Sequence, residues 1–145
     1  MQLRVFPHRR FDTKGADGQP NGFLIPVYNE HDGFIPGDRA PRQVYLSCCA
    51  IGAGKGPHLH ERRWGYLTCV RGNVRVVARF GDEYVVAYSG QDHGYQTVEI
   101  PPGIPNRVEN LGNIDAFILN TCTPAWHADD PDDYHVDEWN PPPGL

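Results

Sequence analysis

The chain has 145 residues, with 13 Lys and Arg against 18 Asp and Glu and a formal net charge of −5. That length suits one hydrophobic core, and the acidic balance argues against general nucleic-acid binding, which needs a basic face. Sixteen glycines and fourteen prolines leave few windows long enough for a helix of average length. Short runs rich in Val, Ile, Tyr and Phe lie between turn residues, a pattern that predicts an all-β fold.

Residues 1–42 are rich in Gly, Pro and Asp and are read as an N-terminal arm. Leu3–Phe6 and Phe23–Tyr28 are its predicted edge strands, with prolines at positions an edge tolerates. Such an arm can cover a barrel edge or cross onto a partner, so a homodimer is expected. The barrel core is predicted over residues 43–122. Gln43–Ile51 forms its first strong strand, and Gly52, Gly54 and Gly56 turn the chain into a strand bearing His58 and His60. Tyr66–Val70 follows and ends at Arg71-Gly72-Asn73, read as a tight hairpin. Val74–Phe80, Tyr84–Tyr88, Thr97–Ile100, Arg107–Glu109 and Ala116–Asn120 complete the set, with a polar loop over 89–94. The evenly spaced strands indicate a sandwich or barrel. The tail, 123–145, is acidic and Pro-rich, and Trp126, Tyr134 and Trp139 suggest that it docks on the barrel. The whole is read as one domain.

Cys48 and Cys49 are adjacent and point to opposite faces of a strand, while Cys69 and Cys122 lie in apolar runs. No Cys-x-x-Cys pattern is present, so free buried thiols and a reducing compartment are expected. No signal peptide or spanning segment is visible, which makes the cytoplasm the expected location and a membrane role unexpected.

The chemistry concentrates in Gly54-Lys55-Gly56-Pro57-His58-Leu59-His60, then Gly72, then Ile100-Pro101-Pro102-Gly103-Ile104-Pro105-Asn106 and Asn110. Histidines two apart on a strand face the same side, roughly 6.5–7 Å apart. They can share a metal or a proton. Lys55, Arg62, Arg63, Arg75, Arg79 and Arg107 bunch near this segment and can anchor a diphosphate or carboxylate. Tyr45, Trp64, Tyr66, Tyr88 and Trp126 can stack a base or sugar. Asp92, Asp115 and the acidic tail are candidates for a carboxylate that fixes a histidine tautomer.

These segments resemble the two motifs of the cupins, small double-sheet jelly-roll barrels. Gly72 closes the first motif, and Pro101, Gly103 and Asn110 match the second. Gly65 stands where the motif has glutamate and Asn106 where it has histidine, so two of the four usual metal ligands are missing. Beyond the motifs, residues 20–140 resemble the branch containing dTDP-4-keto-6-deoxysugar 3,5-epimerases and 3,4-ketoisomerases. The ketoisomerases carry Gly-x-His-Ala-His, which His58-Leu59-His60 matches. The epimerases carry Arg-Gly-Leu-His, with Lys55 in place of the arginine and His58 in place of the catalytic histidine. Ile100-Pro101-Pro102 and the exit Thr121–Trp126 also fall where that branch has its own.

The resemblance implies an isomerase of nucleotide sugars that moves a proton next to a ketone without an organic cofactor. His58, His60 and Tyr66 are its expected catalytic residues. Lys55, Arg62, Arg63, Arg75, Asn106, Arg107 and Trp126 are its expected substrate contacts. The departures are Gly65, where that branch has lysine or glutamine, and Trp126, near the acid tyrosine. Tyr66, Tyr88 or Arg63 are the candidates to replace the missing groups. Two other readings stand beside this one: a metal-dependent cupin oxygenase or isomerase holding a divalent transition metal on His58 and His60, and a non-catalytic sugar-binding cupin.

Overall fold

Alternation of apolar and polar residues builds the sheets. In Asn73–Phe80, Val74, Val76 and Ala78 are buried while Arg75 and Arg79 point outward. The computed structural model describes residues 1–145. Its strands are β1 (Val5–Phe6), β2 (Phe11–Lys14), β3 (Pro20–Leu24), β4 (Gln43–Cys49), β5 (Gly54–His58), β6 (Gly65–Arg71), β7 (Asn73–Phe80), β8 (Glu83–Gly90), β9 (Thr97–Ile100), β10 (Asn106–Asn110) and β11 (Ala116–Cys122). One sheet has the order β1-β9-β6-β11-β4 and the other β5-β10-β7-β8; every pairing is antiparallel. From β4 to β11 the chain changes sheet at every connection except β7–β8. That order is a jelly roll of two interlocked Greek keys. The β7–β8 hairpin turns at Gly81-Asp82, where Gly81 has φ 63°.

Gly72 does not make the hairpin predicted from its sequence. β6 and β7 lie in different sheets, and Gly72 (φ 77°) is the corner where the chain crosses between them. The left-handed conformation that signals a tight hairpin serves equally well for a corner. The arm also differs from expectation. The strand predicted over Phe23–Tyr28 is β3, which stops at Leu24, and its partner is Phe11–Lys14 rather than the barrel. Pro26 cannot donate to a ladder, and Ile25–Tyr28 runs on as an irregular segment. Cys48 is exposed because it lies on the outward face of β4, whereas Cys49, Cys69 and Cys122 are buried free thiols as expected. Burial raises the pKa of all three, that of Cys69 to about 11.

The core fills one end of the space between the sheets, around Cys69, Val74, Val76, Ala78, Val98, Ala116 and Ile118. The arm seals an edge and an outer face. Leu3 joins the core, while Phe6 and Phe34 pack on the Tyr66 ring. The tail runs back across the barrel, where the Tyr134 N–H donates to the Leu59 carbonyl at 3.0 Å and the Trp139 ring meets Tyr84 edge-on. No helix is long and apolar enough to cross a membrane.

Candidate active site

At the end of the barrel away from the packed core, the two sheets part around a cavity of about 280 Å³. Its walls come from β4 (Tyr45, Ser47), β5 (Lys55, His58), β6 (Gly65, Leu67), β9 (Ile100), β10 (Asn106, Val108) and β11 (Ile118, Asn120), with His60, Arg63 and Asp133 at its mouth loops. Leu67, Ile100, Val108 and Ile118 give it an apolar floor, and polar groups from both sheets line the rest. That composition is typical of a small-molecule site.

His58 ends β5 opposite Asn106, and Lys55 faces Val108. Three residues of β5 thus span two of β10, a bulge that turns Lys55 and His58 toward the cavity together. The His58 and His60 rings lie 6.4 Å apart between centroids and within 14° of parallel, as two same-face residues should. Loss of water around the His58 ring lowers its pKa. His60, Lys55 and Arg63 push the same way, while Asp133 opposes them. His58 is therefore neutral near pH 7, with a lone pair able to take a proton.

The tail holds His60. Its Nδ1 sits 2.7 Å from the Asp132 carbonyl and 3.2 Å from the Asp133 carboxylate. Two acceptors at one nitrogen place the proton on Nδ1 and leave the Nε2 lone pair toward the Arg63 guanidinium, 3.5 Å away. Among the candidate acids, the carboxylate behind the histidine is thus Asp133. Asp115 instead accepts from the Ile51 N–H, and Asp92 from the Asn73 amide. The Asp132 side chain accepts the N–H groups of Glu61, Arg62 and Arg63 at 3.0–3.1 Å and fixes the loop after His60. Burial pushes the Asp132 carboxyl upward, but those three donors and Arg62 outweigh it and hold its pKa below the ordinary value.

Of the residues expected at the site, His58, His60, Lys55, Arg63 and Asn106 meet in the cavity. The others do not. Tyr66 is fully buried on the opposite face of β6, and its hydroxyl donates to Glu99 at 3.0 Å. Burial and Glu99 raise its pKa to about 12. Arg75 and Arg107 lie on the outer face of the second sheet, where Arg75 binds Glu109 at 2.6 Å and Arg107 donates to the Gly56 carbonyl at 2.7 Å. Arg62 pairs with Asp130 and, with half-exposed Trp126, borders a separate shallow depression. Tyr88 stacks on His93 away from the cavity. Ser47 and Asn120 were missed as site residues. The Asn120 amide donates to the Tyr45 hydroxyl at 2.8 Å and accepts from the Tyr66 N–H. Only the inward parity of β4 and β11 signals this pair.

The donor set does not fit a metal centre. No three His, Cys, Asp or Glu side chains converge on a point. His60 Nδ1 is engaged by the Asp132 carbonyl and the Asp133 carboxylate, and the Asn106 amide donates to the Ile104 carbonyl. Gly65, in place of the carboxylate, lines the cavity with no side chain, facing the Asn120 amide.

No protein-family model matches the chain, and no curated protein matches it. Solved structures do. The dTDP sugar isomerase from Desulfovibrio desulfuricans G20 superposes with a TM-score of 0.76 at 14% identity, over 92% of this chain and 83% of that one. QdtA, a sugar 3,4-ketoisomerase from Thermoanaerobacterium thermosaccharolyticum in complex with TDP, gives 0.70 at 17% identity, over 93% and 88%. The fold is a cupin jelly roll. The capsular polysaccharide assembling protein CapF from Staphylococcus aureus is more similar in sequence, at 26% identity with a TM-score of 0.62. That match covers 66% of this chain and only 28% of CapF, so this chain spans just over a quarter of the length of that protein.

Proposed function

We propose that the protein is an isomerase of nucleotide-linked keto sugars, an epimerase or ketoisomerase that works by proton transfer without a metal. The observation that carries this reading is the stacked His58–His60 pair, with the His58 pKa lowered, in a cavity whose cations, Lys55 and Arg63, outnumber its one carboxylate. A C–H beside a ketone is weakly acidic, and its removal needs a base and positive charge for the oxygen that becomes an enolate. A ring nitrogen of His58 takes the proton. The Tyr45 hydroxyl, already accepting from Asn120, is placed to return a proton to the other face or the neighbouring carbon. Lys55 and Asn106 orient the sugar and its phosphates. The jelly-roll likeness to the dTDP sugar isomerase and QdtA supports the same class. We read residues 1–145 as one catalytic cupin unit that acts as a cytoplasmic homodimer.

The test is deuterium incorporation. Incubated in deuterated water with TDP-, UDP- or GDP-linked 4-keto sugars, the protein should place deuterium on the carbon beside the ketone. His58→Asn should cut the rate by about 10²–10⁴-fold. Absence of exchange with every such sugar would sink the reading, and saturable binding without exchange would leave a sugar-binding module.

A further inference from the structure

We infer that the Arg63 guanidinium is the electrophile of the cavity, holding the keto oxygen of the substrate and the enolate formed from it. The inference rests on the proposed function and names the residue that replaces the group missing at Gly65. Arg63 is only 8% exposed, and it is the one buried charged side chain of the cavity. A guanidinium stays protonated at any physiological pH, so burial cannot neutralise it.

The other arginines near the cavity have found carboxylates: Arg62 is on Asp130, and Arg75 and Arg107 are on Glu109. No carboxylate pairs with the Arg63 guanidinium. Its Nε is buried with no hydrogen-bond partner at all, and its NH1 has only the long contact to His60 Nε2. The closest acidic groups are otherwise engaged. The Asp132 carboxylate is used by three backbone N–H groups, one of them that of Arg63 itself, and Asp133 sits on the far nitrogen of His60. Cys122 is near, but burial raises its thiol pKa and keeps it neutral.

A buried, uncompensated guanidinium beside a cavity is a receptor awaiting an anion. Its location selects which anion. Whatever Arg63 holds lies against His60 and within reach of His58, at the reacting carbons. Lys55, exposed on β5, is the cation placed for phosphates outside. Asp132 clamps the backbone of residues 61–63, and from that loop Arg63 lines both the cavity and the depression beside Arg62. The charge also keeps its own base ready, since Arg63 is among the groups that lower the His58 pKa.

Two arms test the assignment. In the first, Arg63→Met and Arg63→Lys are assayed for deuterium exchange on a 4-keto nucleotide sugar. Loss of an oxyanion donor should lower kcat by about 10²–10³-fold while KM changes little, and Lys should recover part of it. A rise in KM with kcat intact would place Arg63 on the diphosphate and overturn the inference. The second arm needs no catalysis. Oxalate, a small planar dianion resembling an enediolate, is titrated into the protein by calorimetry, and the His58 imidazole is followed by NMR. The wild type should bind oxalate, Arg63→Met should bind it at least tenfold more weakly, and its His58 should titrate at higher pH than in Arg63→Lys. Equal oxalate binding by wild type and Arg63→Met, or none by the wild type, overturns the inference. If exchange is absent throughout but the oxalate arm holds, the proposed function falls while Arg63 stands as an anion receptor. Circular dichroism of both variants identifies any that fail to fold, and Arg63→Lys keeps the charge for the comparison if Met does not.

Discussion

At the scale of single residues, His58 sets the pH response. Its pKa lies below the ordinary imidazole value of 6.5, through lost hydration first and then its neighbours His60, Lys55 and Arg63. The base form is therefore retained into mildly acid solution, and the acid limb of kcat/KM for exchange should fall below pH 6.5. A limb at or above 6.5 would count against His58 as the base. His8, whose pKa burial also lowers, acts with it on stability. Each histidine binds a proton more readily unfolded than folded, so their contribution is complete above 6.5 and is lost as pH falls toward the folded values. Melting temperature should decline between pH 7 and 5, and a flat profile there would contradict both shifts. The His-x-His pair was legible in the sequence because strand parity alone brings two such rings to one face. The expectation that Tyr66 replaces a missing group fails on the face it occupies, because the loop over 61–64 breaks the parity running through His58 and His60 and Gly65 and Leu67 line the cavity instead. The isolation of Arg63 could not be read at all, since it depends on where the partners of its neighbours lie, seventy residues away.

Among the elements, the strands of the barrel core were readable and their sheets were not. Alternating apolar residues mark β4 and β7 plainly, but a turn residue such as Gly72 does not say whether the chain folds back in one sheet or crosses to the other. The tail was legible as something docked, through its aromatics, and illegible as part of the site. Its key residue is Asp132, at φ 56° and only 6% exposed, which ties together three backbone N–H groups of the loop after His60. Asp132→Asn keeps the size and tolerates the left-handed backbone, but it removes the charge from those bonds. It should cost about 1.5–3 kcal/mol in denaturant unfolding. Exchange activity should fall further than this global loss implies, because His60 and Arg63 both take their positions from that loop. The stabilisation is of the depressed-carboxylate kind, present above the ordinary value of 3.8 and lost as pH drops through the lower folded value. A variant with unchanged stability would show that the tail does not fix the loop in solution.

For the whole molecule, the jelly roll leaves two surfaces that a soluble monomer has no reason to expose together. β4 is an open edge, paired only with β11, and Val44 and Leu46 on its outward face are 61% and 59% exposed. The hairpin β2–β3 pairs only with itself, and Phe11, Phe23 and Leu24 on it are exposed as well. An isolated two-stranded hairpin is marginal in water, and an apolar edge invites pairing. A second copy of the chain satisfies both needs, since a two-fold axis covers the same patch on each subunit. Sedimentation at about 10 μM should therefore give twice the 16.3 kDa of the chain. The double substitution Val44→Asp, Leu46→Asp should shift it toward the monomer. It should change monomer stability little, because both side chains already face water. If Phe23→Asp with Leu24→Asp dissociates the dimer and the β4 pair does not, the hairpin is the interface. A wild-type chain that sediments at 16.3 kDa across that range would show that both surfaces stand free in solution, and the dimer would have to be abandoned.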